Sequence, residues 1–138
     1  MEKIYPRSPR EMMCGWVHLP RYIDKIRLYL AGKLHPDYLP NLGKGYDGFW
    51  LKMAGRTHQE MVRVVASSIT DGEVCDWVRV NVQKSEAERQ AHREKMFRVP
   101  VRPDLKELFL REREELGLGY REDLKSFVDL IDADEGPI

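Results

Sequence analysis

The chain has 138 residues, enough for about one domain whose core needs neither disulfide nor structural metal. Lysine plus arginine and aspartate plus glutamate both count 23, so the overall field exerts no long-range pull on nucleic acid or an anionic membrane. No apolar run approaches the roughly 20 residues of a membrane span, and the Met1-Glu2-Lys3-Ile4-Tyr5-Pro6 start lacks an export leader's basic-then-apolar pattern, so a cytoplasmic chain, neither exported nor inserted, is expected.

Pro6 and Pro9 bias their predecessors away from helix, which predicts an extended Pro/Arg-rich arm over residues 1–19, ending in a short helical turn near Glu11 to Gly15. Pro20 suits a first helical position, and Tyr22, Ile23, Ile26 and Leu30 follow at three- and four-residue spacing, so a helix runs from about Pro20 to Ala31. Gly32 stops it, and Pro36 to Gly45 reads as a loop. Tyr46, Phe49, Trp50 and Met53 make an i, i+3, i+4, i+7 stripe for a short buried helix, with Asp47 near its start. Thr57 and Glu60 form a capping box for the next helix, whose inward face is Met61, Val64 and Val65. Asp71 reads as the cap of a fourth helix carrying Val74, Cys75, Trp77, Val78 and Val82.

Ser85 and Glu88 repeat the capping-box spacing for a nearly all-polar helix to about Arg98, of the kind that lies outside or bridges to a partner. After an extended hinge over Val99 to Pro103, a helix from about Pro103 to Leu116 turns Leu105, Leu108, Phe109 and Leu116 inward. Leu124, Phe127, Val128 and Ile131 give a last helix, and Asp132 to Ile138 reads as an acidic tail. With no convincing strand pattern, the fold class is all-α: a compact single-domain bundle of about six or seven short helices over 1–138, comprising the arm, core helices 20–82 and C-terminal helices 83–138. Its expected core is Trp16, Phe49, Trp50, Val65, Trp77, Leu108 and Phe127.

Several strings taken together carry a resemblance: Pro6-Arg7-Ser8-Pro9-Arg10, Gly15, His18-Leu19-Pro20-Arg21-Tyr22-Ile23-Asp24-Lys25 and Asp71-Gly72-Glu73-Val74 with Trp77. Over roughly residues 5–80 the chain resembles the bacterial family catalogued as domain of unknown function five thousand and sixty-nine. The resemblance implies a bacterial source and a helical domain of this size; it implies no reaction, cofactor or binding residue.

The densest chemistry is the group His18, Arg21, Asp24 and Lys25, with Arg7 and Arg10 on the arm. Histidine beside arginine and carboxylate can act as acid or base next to an anion-holding cation, and the arm's arginines offer forked donors to a carboxylate or phosphate. The leading expectation is a module that binds a small anionic ligand or a protein partner through Arg7, Arg10, His18, Arg21, Asp24 and Lys25. One alternative is a small enzyme with His18 as acid or base, Asp24 orienting it and Arg21 anchoring the substrate; another is a purely structural subunit, such as a homodimer. Architecture competes with all three, since Asp24 can pin an arginine of the arm onto helix one through a bidentate pair.

Gly43-Lys44-Gly45 before a helix suggests an anion nest, but it departs from the Walker pattern and Asp47 places a negative charge where a phosphate would sit. Cys14 and Cys75 read as reduced, mostly buried thiols. With His35, His58 and His92 scattered over unrelated elements, neither a metal site nor a cofactor is expected. The helix over 85–98 cancels its own charge, which argues against nucleic acid.

Overall fold

The computed structural model describes residues 2–138. Among them the elements are β1 (Met12–Met13), β2 (Trp16–Val17), α1 (Leu19–Leu30), a 3-10 helix (Pro36–Asn41), α2 (Gly45–Ala54), α3 (His58–Ala66), α4 (Asp71–Asn81), α5 (Glu86–Met96), α6 (Pro103–Glu115) and α7 (Phe127–Glu135). The helical class is as expected, with one small two-stranded ribbon added. The chain divides into two compact units, Met1–Arg93 and Glu94–Ile138.

The helical turn expected near Glu11 to Gly15 is instead an antiparallel hairpin, with Met12 opposite Val17 and Met13 opposite Trp16. Its two-residue loop has positive φ at both Cys14 (46°) and Gly15 (85°), the signature of a type I′ turn, whose twist matches that of paired strands. The first of those positions favours glycine or asparagine, so a cysteine there hides the turn from sequence reading. Gly15 is required twice over: a Cβ added there would lie 2.6 Å from Nε of Arg89, which crosses the turn.

In the first unit α1 turns Leu19, Tyr22, Ile23 and Ile26 into a core shared with Trp16, Trp50, Met61, Val65, Val74 and Val78. The Thr57/Glu60 capping box forms as expected, with Glu60 N–H donating to Thr57 Oγ1 and Thr57 N–H to the Glu60 carboxylate. The cap of α4 is Thr70 rather than Asp71, whose carboxylate is engaged elsewhere.

On α2 the buried positions are Asp47, Trp50, Leu51 and Ala54, one residue on from the expected stripe; Tyr46, Phe49 and Met53 are half-buried. Both stripes satisfy helical spacing, and the aspartate decides between them because its partners lie inside. Trp77 is likewise half-buried, with the Arg56 guanidinium 5.7 Å from its ring centre. The polar α5 is held by His92, which is fully buried, edge-on to Trp16 at 5.4 Å and stacked on Phe49 at 5.2 Å.

In the second unit Phe109, Leu124 and Leu130 form a small core with Leu118, Phe127 and Ala133 against it. Phe109 and Phe127 meet edge to face at 5.6 Å. Phe109 is the buried residue of α6; Leu105 and Leu116, expected inward, are exposed, and Leu108 is half-buried. The acidic tail is largely helix, since α7 continues through Asp132, which is buried, to Glu135 before Gly136 ends it.

Candidate functional site

His18 precedes α1 in a left-handed conformation (φ 70°) and is only 2% exposed. Its Nε2 lies 2.6 Å from Oδ1 of Asp47, while Nζ of Lys25 donates to Oδ2 at 2.6 Å and Gly43 N–H to the same oxygen at 3.0 Å. His18 therefore pairs with Asp47 of α2, not with Asp24 as the enzyme alternative has it. The Gly43-Lys44-Gly45 turn does cradle an anion through a backbone N–H, and that anion is the chain's own carboxylate.

Desolvation alone would raise the pKa of Asp47, but the His18 hydrogen bond and the Lys25 charge together outweigh it and hold the carboxyl below its usual range. Burial lowers the pKa of His18, and the nearby Lys25 and Arg21 charges add to that against the pull of Asp47. The histidine is thus neutral, Nε2–H donates to Asp47, and Nδ1 has no hydrogen-bond partner among the described residues. Beside it the Tyr22 hydroxyl and His58 Nδ1 are hydrogen-bonded at 2.6 Å, and the His58 ring fills the space a Cβ on Gly43 would need, 2.7 Å away.

A pH dependence follows from these shifts. His18 has a lower pKa folded than its ordinary 6.5, so below about pH 6.5 the unfolded chain binds the proton more readily and stability falls with acid. Burial lowers the pKa of His58 as well, adding to the same window. Asp47 extends the loss: its contribution is complete above 3.8 and disappears as pH falls through its lower folded value. The urea midpoint should decline steadily from pH 7 to 5, and His18→Asn, which tolerates the left-handed backbone, should flatten the slope to the share of His58. An unchanged slope in that variant would remove His18 from the account.

The arm is clamped by its own charges. Asp24 accepts from Arg7 N–H at 2.9 Å, Nε at 3.0 Å and Nη2 at 3.0 Å, a bidentate pair with a backbone bond beside it. Arg7 Nη1 donates to Asp71 at 2.9 Å, and Arg27 Nη1 donates to the other oxygen of Asp71 at 2.6 Å. Arg7 is held protonated beyond the ordinary arginine, chiefly by the Asp24 hydrogen bond. Arg21 is buried, donates to the Arg7 carbonyl at 3.2 Å and lies 5.6 Å from the Tyr38 ring centre. Arg10 is exposed, and its backbone N–H donates to Ser8 Oγ. The six residues expected to bind a ligand are thus divided between a buried charge cluster (His18, Lys25), an arm clamp (Arg7, Asp24, Arg21) and the surface (Arg10).

A different place on the first unit is concave. Beside the hairpin turn a cleft of about 420 Å³ is lined by Cys14, Trp16, Val78, Arg79, Val82, Gln83, Lys84 and Arg89. Three cations meet an apolar wall there, and its lining holds no carboxylate. Arg89 donates Nη1 to the Lys84 carbonyl at 2.6 Å; its Nε and Nη2 make no hydrogen bond among the described residues. Arg79 and Lys84 face Asp76 at 3.4 Å and Glu88 at 3.7 Å, long contacts on exposed carboxylates. A second depression, of about 440 Å³, is lined by Glu60, Arg63, Val64, Ser67, Ser68, Glu73 and Trp77. Its two carboxylates cap helices, leaving Arg63 as its cation.

A family model described as a domain of unknown function (DUF5069) matches residues 3–137. The chain belongs to this family. No curated protein matches it. The DUF5069 match extends the motif resemblance over roughly 5–80 to residue 137 and includes every residue of the cleft. In this DUF5069 chain the sequence reading missed Asp47 as the partner of His18, and it missed the Arg79, Lys84 and Arg89 cleft. The local signal for the cleft was available in Arg89, four residues after the Ser85 cap and aligned with the start of its helix; the element it faces lies more than seventy residues earlier in the sequence, at Gly15.

Proposed function

We propose that this protein is a binding module for a small anionic ligand with an apolar part, held in the cleft beside the hairpin turn. The observation that carries the reading is the unspent pair of donors on Arg89 inside a cleft that also presents Trp16, Val78, Val82, Arg79 and Lys84. Its volume of about 420 Å³ falls in the range that holds small organic ligands. The ligand class is that expected from the sequence; its place moves from the arm to the cleft because the donors of Arg7 are engaged by Asp24 and Asp71. The enzyme alternative has less support, since His18 is buried on Asp47 and Asp24 is held by Arg7.

The test is titration with 8-anilinonaphthalene-1-sulfonate, an aromatic anion that matches the lining. Arg89→Ala should weaken binding about tenfold, the equivalent of one charge-assisted hydrogen bond. Arg63→Ala, in the second depression, should leave the affinity unchanged. Equal affinity in the wild type and Arg89→Ala, with both folded, removes the cleft as the site.

A further inference from the structure

Arg89 meets the cleft with one particular edge free. Its Nη1 is spent on the Lys84 carbonyl at 2.6 Å, which fixes the guanidinium plane; Nε and Nη2, the two parallel donors of its long side, make no hydrogen bond among the described residues. A Cβ on Gly15 would lie 2.6 Å from Nε, so the glycine of the turn is what keeps that nitrogen uncovered.

Three other arginines of the chain show what this edge takes when it is occupied. Arg7 gives Nε and Nη2 to the two oxygens of Asp24, both at 3.0 Å. Arg102 gives the same pair to Asp104 at 3.1 and 2.6 Å, and Arg121 to Asp123 at 2.9 and 2.8 Å. Each time the partner is a planar carboxylate whose two oxygens match the spacing of the two donors. The lining of the cleft offers Arg89 no carboxylate, so its fork is left for one from outside the chain.

We propose that the ligand of the cleft is a monocarboxylic acid with a compact hydrocarbon body. Its two oxygens are taken by Nε and Nη2 of Arg89, and its body lies against Trp16, Val78 and Val82. This choice of ligand rests on the cleft being the binding site. Charge favours it over a phosphate. Arg79 and Lys84 already face Asp76 and Glu88, so the uncompensated charge of the lining is that of Arg89, which one carboxylate neutralises. A phosphate monoester brings close to two negative charges at neutral pH, one more than Arg89 balances. A sulfonate has the right charge, but its oxygens surround a tetrahedral sulfur and accept hydrogen bonds more weakly than a planar carboxylate does.

Three naphthalenes with different head groups separate these cases: 1-naphthoate, 1-naphthalenesulfonate and 1-naphthyl phosphate, titrated calorimetrically into the full chain in Tris chloride at about pH 7.5. The wild type should bind 1-naphthoate about tenfold more tightly than either of the others. Arg89→Lys keeps the charge and loses the fork, so it should weaken 1-naphthoate about tenfold and the sulfonate by less than about twofold, erasing the preference. If that variant fails to fold, the order of affinities in the wild type decides. Equal affinity for carboxylate and sulfonate, or tighter binding of the phosphate, overturns the carboxylate as the ligand and leaves the cleft standing as an anion site. A preference for 1-naphthoate that survives Arg89→Lys overturns the fork as its source. Failure of all three, and of 8-anilinonaphthalene-1-sulfonate, to bind the wild type overturns the binding site itself, and the choice of ligand falls with it.

Discussion

Asp47→Ala is expected to destabilise the first unit by about 3–5 kcal/mol, the range for breaking a buried ion pair from one side. The substitution removes a single carboxylate that receives Lys25 Nζ, His18 Nε2 and Gly43 N–H. Lys25 is 4% exposed and His18 2%, so neither reaches water without opening the junction of α1 and α2. Set against a typical domain stability of about 5–15 kcal/mol, the loss should bring much of the population close to unfolding at 37 °C. Lys25→Met in the same chain should recover part of the loss by removing, at similar volume, the buried charge that has lost its carboxylate. Chemical denaturation of the three proteins checks both statements. A single variant within about 1 kcal/mol of the wild type would mean that water or a rearranged side chain replaces the carboxylate.

The physical division between what the sequence shows and what it hides is visible in that cluster. Thr57 with Glu60 and Ser85 with Glu88 could be read directly, because a capping box closes over three residues and depends on nothing else. Pro20 located α1 to within a residue for the same reason. Asp47 could not be read this way: its partners are 22 and 29 positions earlier, and only the tertiary fold brings them to it. Without them, hydrophobicity selects Tyr46, Phe49, Trp50 and Met53 as the inner stripe of α2, whereas the charges select Asp47, Trp50, Leu51 and Ala54. The arm is an intermediate case. Asp24 as an anchor for an arm arginine was legible from chemistry, and Arg7 takes that role, but the share of Asp71 in the clamp spans 64 residues. The two-residue strands are too short for any alternation to show, and their turn carries cysteine where asparagine or glycine would have announced it.

Trp16→Ala is expected to cost about 3–5 kcal/mol, the range for deleting a buried tryptophan side chain. Trp16 is 2% exposed, with Trp50 edge-on at 6.0 Å and His92 edge-on at 5.4 Å. Such aromatic contacts add about 0.5–1.5 kcal/mol each beyond burial, and here they join three elements: the hairpin, α2 and α5. Of the two buried residues of α5, His92 and Met96, His92 is the one that meets the Trp16 ring, and losing that face should raise amide exchange along residues 86–93 more than along α3. The same ring forms part of the cleft wall, so whatever protein remains folded should also bind 8-anilinonaphthalene-1-sulfonate less tightly. Trp77→Ala provides the scale. Trp77 is half-buried at the edge of the same core, under Arg56, and its loss should cost clearly less. Equal costs for the two would show that the aromatic junction around Trp16 contributes no more than ordinary surface packing, and that α5 is held by some other contact.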